Sequence, residues 1–158
     1  MPSATEQKDS TTVTEDATMG KVMVDVEIIS SDDEIRLADG HIKPEQVRRS
    51  KVNALVDTGA SLLVLPEEEI RKLGLRVIRE AVSKFANGQS AVRKVYGPIH
   101  IRVMGRDDHV VAIAAHPGMP SLLGQIPLEG LDLIVEPKRQ KLLPGHPDYP
   151  NEQLIEIY

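Results

Sequence analysis

The chain has 158 residues, enough for one domain that buries a core without staples, and a net charge of −5. With that acidic balance, one Phe, three Tyr and no Trp, it has neither a basic stripe nor a set of stacking rings, which argues against nucleic acid as the main partner. Cysteine is absent, which excludes disulfides, thiolate catalysis and cysteine-held metals and fits a reducing, cytoplasmic setting.

Residues 1–18, MPSATEQKDSTTVTEDAT, are polar and rich in Ser and Thr, and read as a disordered tail. They lack a basic stretch followed by an apolar one, so no signal peptide is expected. No apolar run in the chain reaches the length of a membrane span, so no membrane partner is expected either. From Lys21 the pattern changes. KVMVDVEII alternates around Val22, Val24, Val26 and Ile28, the mark of a half-buried strand. Residues 30–50 carry charges, Gly40 and Pro44 and read as a long loop with one helical turn at most. VNALVDT is a second strand whose continuous apolar run implies burial on both faces. SLLVLP resumes as strand. PEEEIRKLGL is a short helix, with Pro66 in its first turn, Glu67, Glu68 and Glu69 against its positive end, and Gly74 as its stop.

AVSKFANGQSAVRKV holds Asn87-Gly88 between two strand-like arms, a hairpin signal that predicts positive φ at both residues. PIHIRVMG and RDDHVVAIAA form the next strand pair, with Asp107-Asp108 as the turn between them. SLLGQIPLEGLDLIVEP holds a strand end, a turn or short helix and a further strand, and RQKLLP a last strand. GHPDYPNEQLIEIY begins as a proline-rich coil. Many short strands with little helix predict an all-β sandwich or barrel. A faint internal echo links NALVDTGASLLVLPEEEIRKLGL with VAIAAHPGMPSLLGQIPLEGLDL, as in a fold of two related halves. The histidines at 41, 100, 109, 116 and 146 form no i, i+4 pair, so no metal is expected.

ALVDTGAS, residues 54–61, poses the functional question, because a carboxylate follows directly on an apolar strand and the chain then turns on a glycine. Asp57-Thr58-Gly59-Ala60-Ser61 resembles the active-site signature of the retropepsin-like aspartic proteases, in particular their small cellular and bacterial members. Two further features stand in that family's order: a hairpin at Phe85, Ala86, Asn87, Gly88 and Gln89, and the triplet Leu122-Leu123-Gly124. The likeness spans roughly residues 20–144. It divides the chain into the tail 1–18, a protease domain at 19–144 and an extension at 145–158.

The resemblance implies an acid-protease barrel with one or two short helices, active as a homodimer that needs no cofactor. It implies Asp57 as the catalytic residue, supported by Thr58, Gly59, Ala60 and Ser61. Residues 85–89 become a flap over a protein or peptide substrate held in extended form, and Leu122, Leu123 and Gly124 a second apolar loop crossed by the first. The chemistry suits the residue types. Two carboxylates about 3 Å apart cannot both ionise, so they share a proton and supply both a base for water and an acid for the carbonyl. One Asp-Thr-Gly per chain then requires two chains. Thr58 offers a hydroxyl and Gly59 a backbone N–H and an unusual φ, while Ser61 is placed to donate to the outer oxygen.

Plainer readings of the same residues exist. Asp-Thr-Gly also makes an ordinary turn, Asn87-Gly88 a plain hairpin tip, Leu122-Leu123-Gly124 core plus turn, and His116 a loop residue or a cleft-lining one. A retropepsin-fold module that binds peptides without cutting them is the alternative function. Departures from the family are Gln125-Ile126-Pro127-Leu128 after the triplet, the long 30–50 segment and the extra residues after Pro144.

Overall fold

A computed structural model describes residues 21–157. The tail 1–18 lies outside the described residues. Nine strands follow in chain order: β1 (Met23–Ser30), β2 (Arg49–Val56), β3 (Leu63–Leu65), β4 (Arg76–Lys84), β5 (Ser90–Val103), β6 (Arg106–Ala114), β7 (Ser121–Leu123), β8 (Leu133–Glu136) and β9 (Lys141–Pro144). Three short helices join them: α1 (Ser31–Ala38), α2 (Glu67–Lys72) and α3 (Gln125–Leu131). The sheet runs β1-β2-β7-β3-β6-β5-β4, and β1 also pairs with β5. Six strands therefore close into a ring, and β4 hangs from β5 alone. The mostly β barrel expected from the sequence is what forms, with three short α-helices among the described residues rather than one or two. No described helix is long and apolar enough to cross a membrane.

Alternation explains the core. Val26 and Ile28 of β1, Val52, Ala54 and Val56 of β2, and Ile99, Ile101 and Val103 of β5 all point into the ring. Leu63, Leu65, Leu123 and Leu131 fill its middle, each worth about 2 kcal/mol of apolar burial. β2 is a half-buried strand, not one buried on both faces, because Lys51 and Asn53 stand in solvent.

Residues 30–50 are mostly helical rather than looped. Ser30 caps α1 by accepting from the Asp33 N–H at 3.1 Å, and Asp32, Asp33 and Glu34 complement its positive end. The buried Asp33 carboxylate then accepts from Arg48 three times, from Nε at 2.8 Å, Nη2 at 3.0 Å and the backbone N–H at 2.9 Å. That clamp ties α1 to the start of β2. A 3₁₀ turn at Pro44–Gln46 completes the connection.

Two turns differ from expectation. The β5–β6 turn is Met104-Gly105, with φ of 51° and 76°, and Val103 pairs with Arg106. Asp107 and Asp108 are strand residues, because the positive-φ pair that a tight hairpin needs lies three residues earlier. At the tip of the β4–β5 hairpin, residues 85–89, only Gly88 takes positive φ, at 85°. Gly88 N–H bonds the Phe85 carbonyl at 3.0 Å and Asn87 Oδ1 accepts from Gln89 N–H at 3.0 Å, so the loop is a wider turn with a glycine bulge.

The internal echo is structural. β2, loop, β3, α2 and β6, loop, β7, α3 repeat one order, and the halves exchange partners: β2 runs parallel to β7, β3 parallel to β6. Val64 and Leu122 meet where the two short strands cross.

Residues 145–157 strap the barrel. His146 Nδ1 lies 2.8 Å from Asp132 Oδ1 and Nε2 lies 2.8 Å from Glu156. Leu154 N–H donates to Asp132 Oδ2 at 3.0 Å, and the Gln153 amide donates to the carbonyls of Asp107 at 2.7 Å and Gly130 at 2.8 Å. The Glu156 and Asp132 carboxylates hold the His146 pKa above its ordinary value.

Asp33→Ala is expected to cost about 2–3 kcal/mol, below the range for fully buried pairs because Arg48 remains partly solvated, read as a lower urea midpoint. The Arg48 bonds hold Asp33 below the ordinary carboxylate range, so this stability is present above the unfolded value and fades as pH falls below about 4. His146 behaves oppositely. Its raised pKa means the strap's contribution is full in mild acid and is lost as pH rises through that value. The thermal stability of the wild type over His146→Gln is expected to shrink on going from pH 6 to pH 9.

Candidate active site

β2 delivers Asp57 to the mouth of the ring. The Asp57 N–H donates to the Leu123 carbonyl at 3.0 Å, which continues the β2–β7 ladder by one residue. The chain then turns, closed by Ala60 N–H on the Asp57 carbonyl at 3.1 Å. Asp57 Oδ1 accepts from Gly59 N–H at 2.9 Å. The backbone donor expected at Gly59 is therefore present. Its unusual φ is not, and glycine is favoured here by space: a Cβ would stand 3.1 Å from Asp57 Oδ1. Among the described residues, neither Thr58 nor Ser61 bonds the carboxylate, and Asp57 Oδ2 has no partner.

The second apolar loop locks this turn. A Cβ on Gly124 would lie 2.4 Å from the Leu62 carbonyl oxygen and 2.7 Å from that of Ala60. The two loops cross backbone against backbone. Gln125 N–H donates to the Ala60 carbonyl at 2.8 Å and Ile126 N–H to the Ser61 carbonyl at 3.0 Å. These bonds use no side chain, so they do not depend on which residues stand at 125 and 126. Pro127 sits in the first turn of α3, where no intrahelical donor is needed.

A cleft of about 790 Å³ opens in front of Asp57. Asp57, Gly59, Ala60, Ser61 and Leu122 form one side, and Phe85 and Ala86 of the hairpin face them. Thr58 is exposed beside the cleft, Asn87, Gly88 and Gln89 form the hairpin tip beyond it, and Leu123 and Gly124 stand behind it. β4 is exposed along nearly all its length, as befits an arm that projects from the ring.

His116 lines the cleft, the second of its two sequence readings, and several further cleft residues were not singled out from the sequence. Arg93 reaches in from β5, where it pairs with Ala81, and its guanidinium donates to the Ala114 carbonyl and lies 3.3 Å from His116 Nε2. The His116 ring stands 6.2 Å from that of Phe85. Met119 and Val82 also line the space. The signal for Arg93 was its position in the alternation of β5, two residues before the buried Val95. Asp57 is the one carboxylate among the described lining residues, which also include Lys84, Arg93 and His116. A half-buried carboxylate with one oxygen fixed and one open can hold a water or share a proton, but alone it cannot be base and acid at once.

Gly124→Ala is expected to lose about 3 kcal/mol, the upper end of overpacking costs, because its clash is with backbone that cannot move aside. Denaturant unfolding reads this directly, and stability within 1 kcal/mol of wild type would contradict the crossing.

The family model described as aspartyl protease matches residues 44–126, just over half of the chain, from the 3₁₀ turn before β2 through the Gly124 crossing. No curated protein matches. Among solved structures, the solution structure of simian foamy virus (mac) protease is similar at 22% identity, with a TM-score of 0.43, over 67% of this chain and 90% of that one.

Proposed function

The chain belongs to the aspartyl protease family, and on that premise we propose that it is an aspartic endopeptidase whose active site forms between two copies, each contributing Asp57. The observation that carries this reading is the single open carboxylate at an interlocked turn in the cleft. The unit proposed for catalysis is 19–144, with 145–158 as an extension.

The chemistry needs two carboxylates and one proton. The ionised Asp57 takes a proton from a water held between the pair. The water oxygen attacks the scissile carbonyl carbon, and the protonated Asp57 gives its proton to the carbonyl oxygen. In the tetrahedral intermediate, the Asp57 that took the water proton gives it to the amide nitrogen while the other Asp57 takes back a hydroxyl proton, and the C–N bond breaks to a carboxylic acid and an amine, which leaves the pair again with one proton. The pair titrates as one unit. Gly59 N–H fixes one oxygen so that the other faces the water. The β4–β5 hairpin closes over an extended peptide, excludes bulk water and meets its backbone. Arg93 and His116 then stand beside the bound chain.

Mixed dimers test the whole reading. Asp57→Asn is nearly isosteric and is expected to fold and to lose peptide hydrolysis. When wild-type and Asp57→Asn chains are refolded together at fixed total protein, activity should follow the square of the wild-type fraction. An equal mixture should keep about a quarter, because the pair acts as one unit. A linear dependence, with subunit exchange verified, would exclude a shared site. Peptide binding without hydrolysis at any ratio would identify a binding module instead.

A further inference from the structure

We propose that Glu34, His100 and His109 form a binding site for a divalent cation of the zinc class, on the face of the β5–β6 hairpin covered by α1. None of the three lines the cleft, so the inference goes beyond the proteolytic reading and does not rest on it.

The β5–β6 register sets His100 directly opposite His109, and the next pair on the same face is Arg102 opposite Asp107. Ile99 and Ile101 point into the core, so His100 points out of it, towards α1. α1 lays Glu34 over the pair. One ligand atom from each of the three lies within 4.8 Å of the others. Ligands around tetrahedral zinc stand about 3.3 Å apart, from bond lengths near 2.0 Å. Gathering them needs only side-chain adjustment, in which the exposed His109 ring leaves its 4.9 Å stack on His100.

The two nitrogens of His100 have different surroundings. Nε2 lies 2.6 Å from Asp107 Oδ1, and Asp107 is itself held by Arg102 Nε at 3.0 Å. This is the carboxylate–histidine pairing that orients a metal-bound imidazole. It places the Nε2 proton against Asp107 and leaves Nδ1 facing both Glu34 oxygens, at 2.9 and 3.0 Å. An atom between Nδ1 and a carboxylate is a proton or a cation.

Two imidazoles and one carboxylate are the donor set of zinc sites that keep a fourth, water-filled position, whereas calcium and magnesium favour oxygen alone. Two of the ligands are pre-positioned. His100 is buried, and Glu34 rides on the helix that Asp33 and Arg48 anchor. The exposed His109 provides entry. A bound ion would fasten α1 to the hairpin that carries the projecting β4.

The test uses the full-length protein, stripped with a chelator and titrated with Zn²⁺ and with Co²⁺ as a coloured substitute. One ion per chain is expected, with a rise in thermal midpoint on adding Zn²⁺. His109→Ala and Glu34→Gln should each weaken binding at least about tenfold and abolish the midpoint rise, since even outer partners of ligands matter that much. His41→Ala, an exposed histidine outside the cluster, should bind as wild type. Asp57→Asn should also bind as wild type, which separates this site from the cleft. No saturable binding by the wild type would overturn the proposal, leaving His100 as an ion pair only. So would unchanged binding in both cluster variants, or loss of binding in Asp57→Asn or His41→Ala.

Discussion

The cleft depends on one backbone crossing. At Gly124 the chain passes so close to the carbonyls of Ala60 and Leu62 that no side chain fits. Across that contact, Gln125 and Ile126 donate to Ala60 and Ser61, and Asp57 donates to Leu123. The turn that carries Asp57 is thus held from both sides by peptide groups. Its position follows from main-chain geometry, which is less free to drift than side-chain contacts on a surface loop.

The crossing belongs to a larger symmetry. Each half contributes a long strand, a loop, a short strand and a helix, and each half's long strand runs parallel to the other's short one. Asp57 N–H bonds Leu123, and Ala115 N–H bonds Leu65 in the same way at 2.8 Å. Ala115 therefore stands where the first half has its aspartate. The duplicated scaffold gives rigidity twice over but presents an acid once. In the proposed mechanism the second carboxylate comes from another chain.

Outside the ring, polar clamps attach the pieces that apolar packing leaves loose. Arg48 on Asp33 holds α1, and Arg106, His146 and Leu154 converge on the buried Asp132 to hold the last residues. Both oxygens of Asp33 and of Asp132 are bonded, which is the condition under which burying a charge is tolerable. Both carboxylates are held below their ordinary range, so both clamps weaken in strong acid, and the Asp132 clamp also weakens as pH rises through the raised His146 value.

The strands were legible in the sequence because inward and outward residues alternate, and β1, β5 and β6 bury the residues that the alternation marks. Asp57 and Gly124 stood out for a similar local reason, a charge or a glycine set against apolar neighbours. Residues 30–50 were hidden because α1 has no apolar stripe: it docks through Asp33 and exposes Ile35. The turn at Met104-Gly105 was missed because Asp107-Asp108 is the more turn-like pair by composition. Only the tertiary structure decided what meets across long separations. It set Arg93 beside His116 in the cleft, His100 against His109 with Glu34 above them, and the Ala60 and Leu62 carbonyls over Gly124. Those meetings are set by strand register and ring closure. Register is a relation between two segments, and no periodicity within one segment can express it.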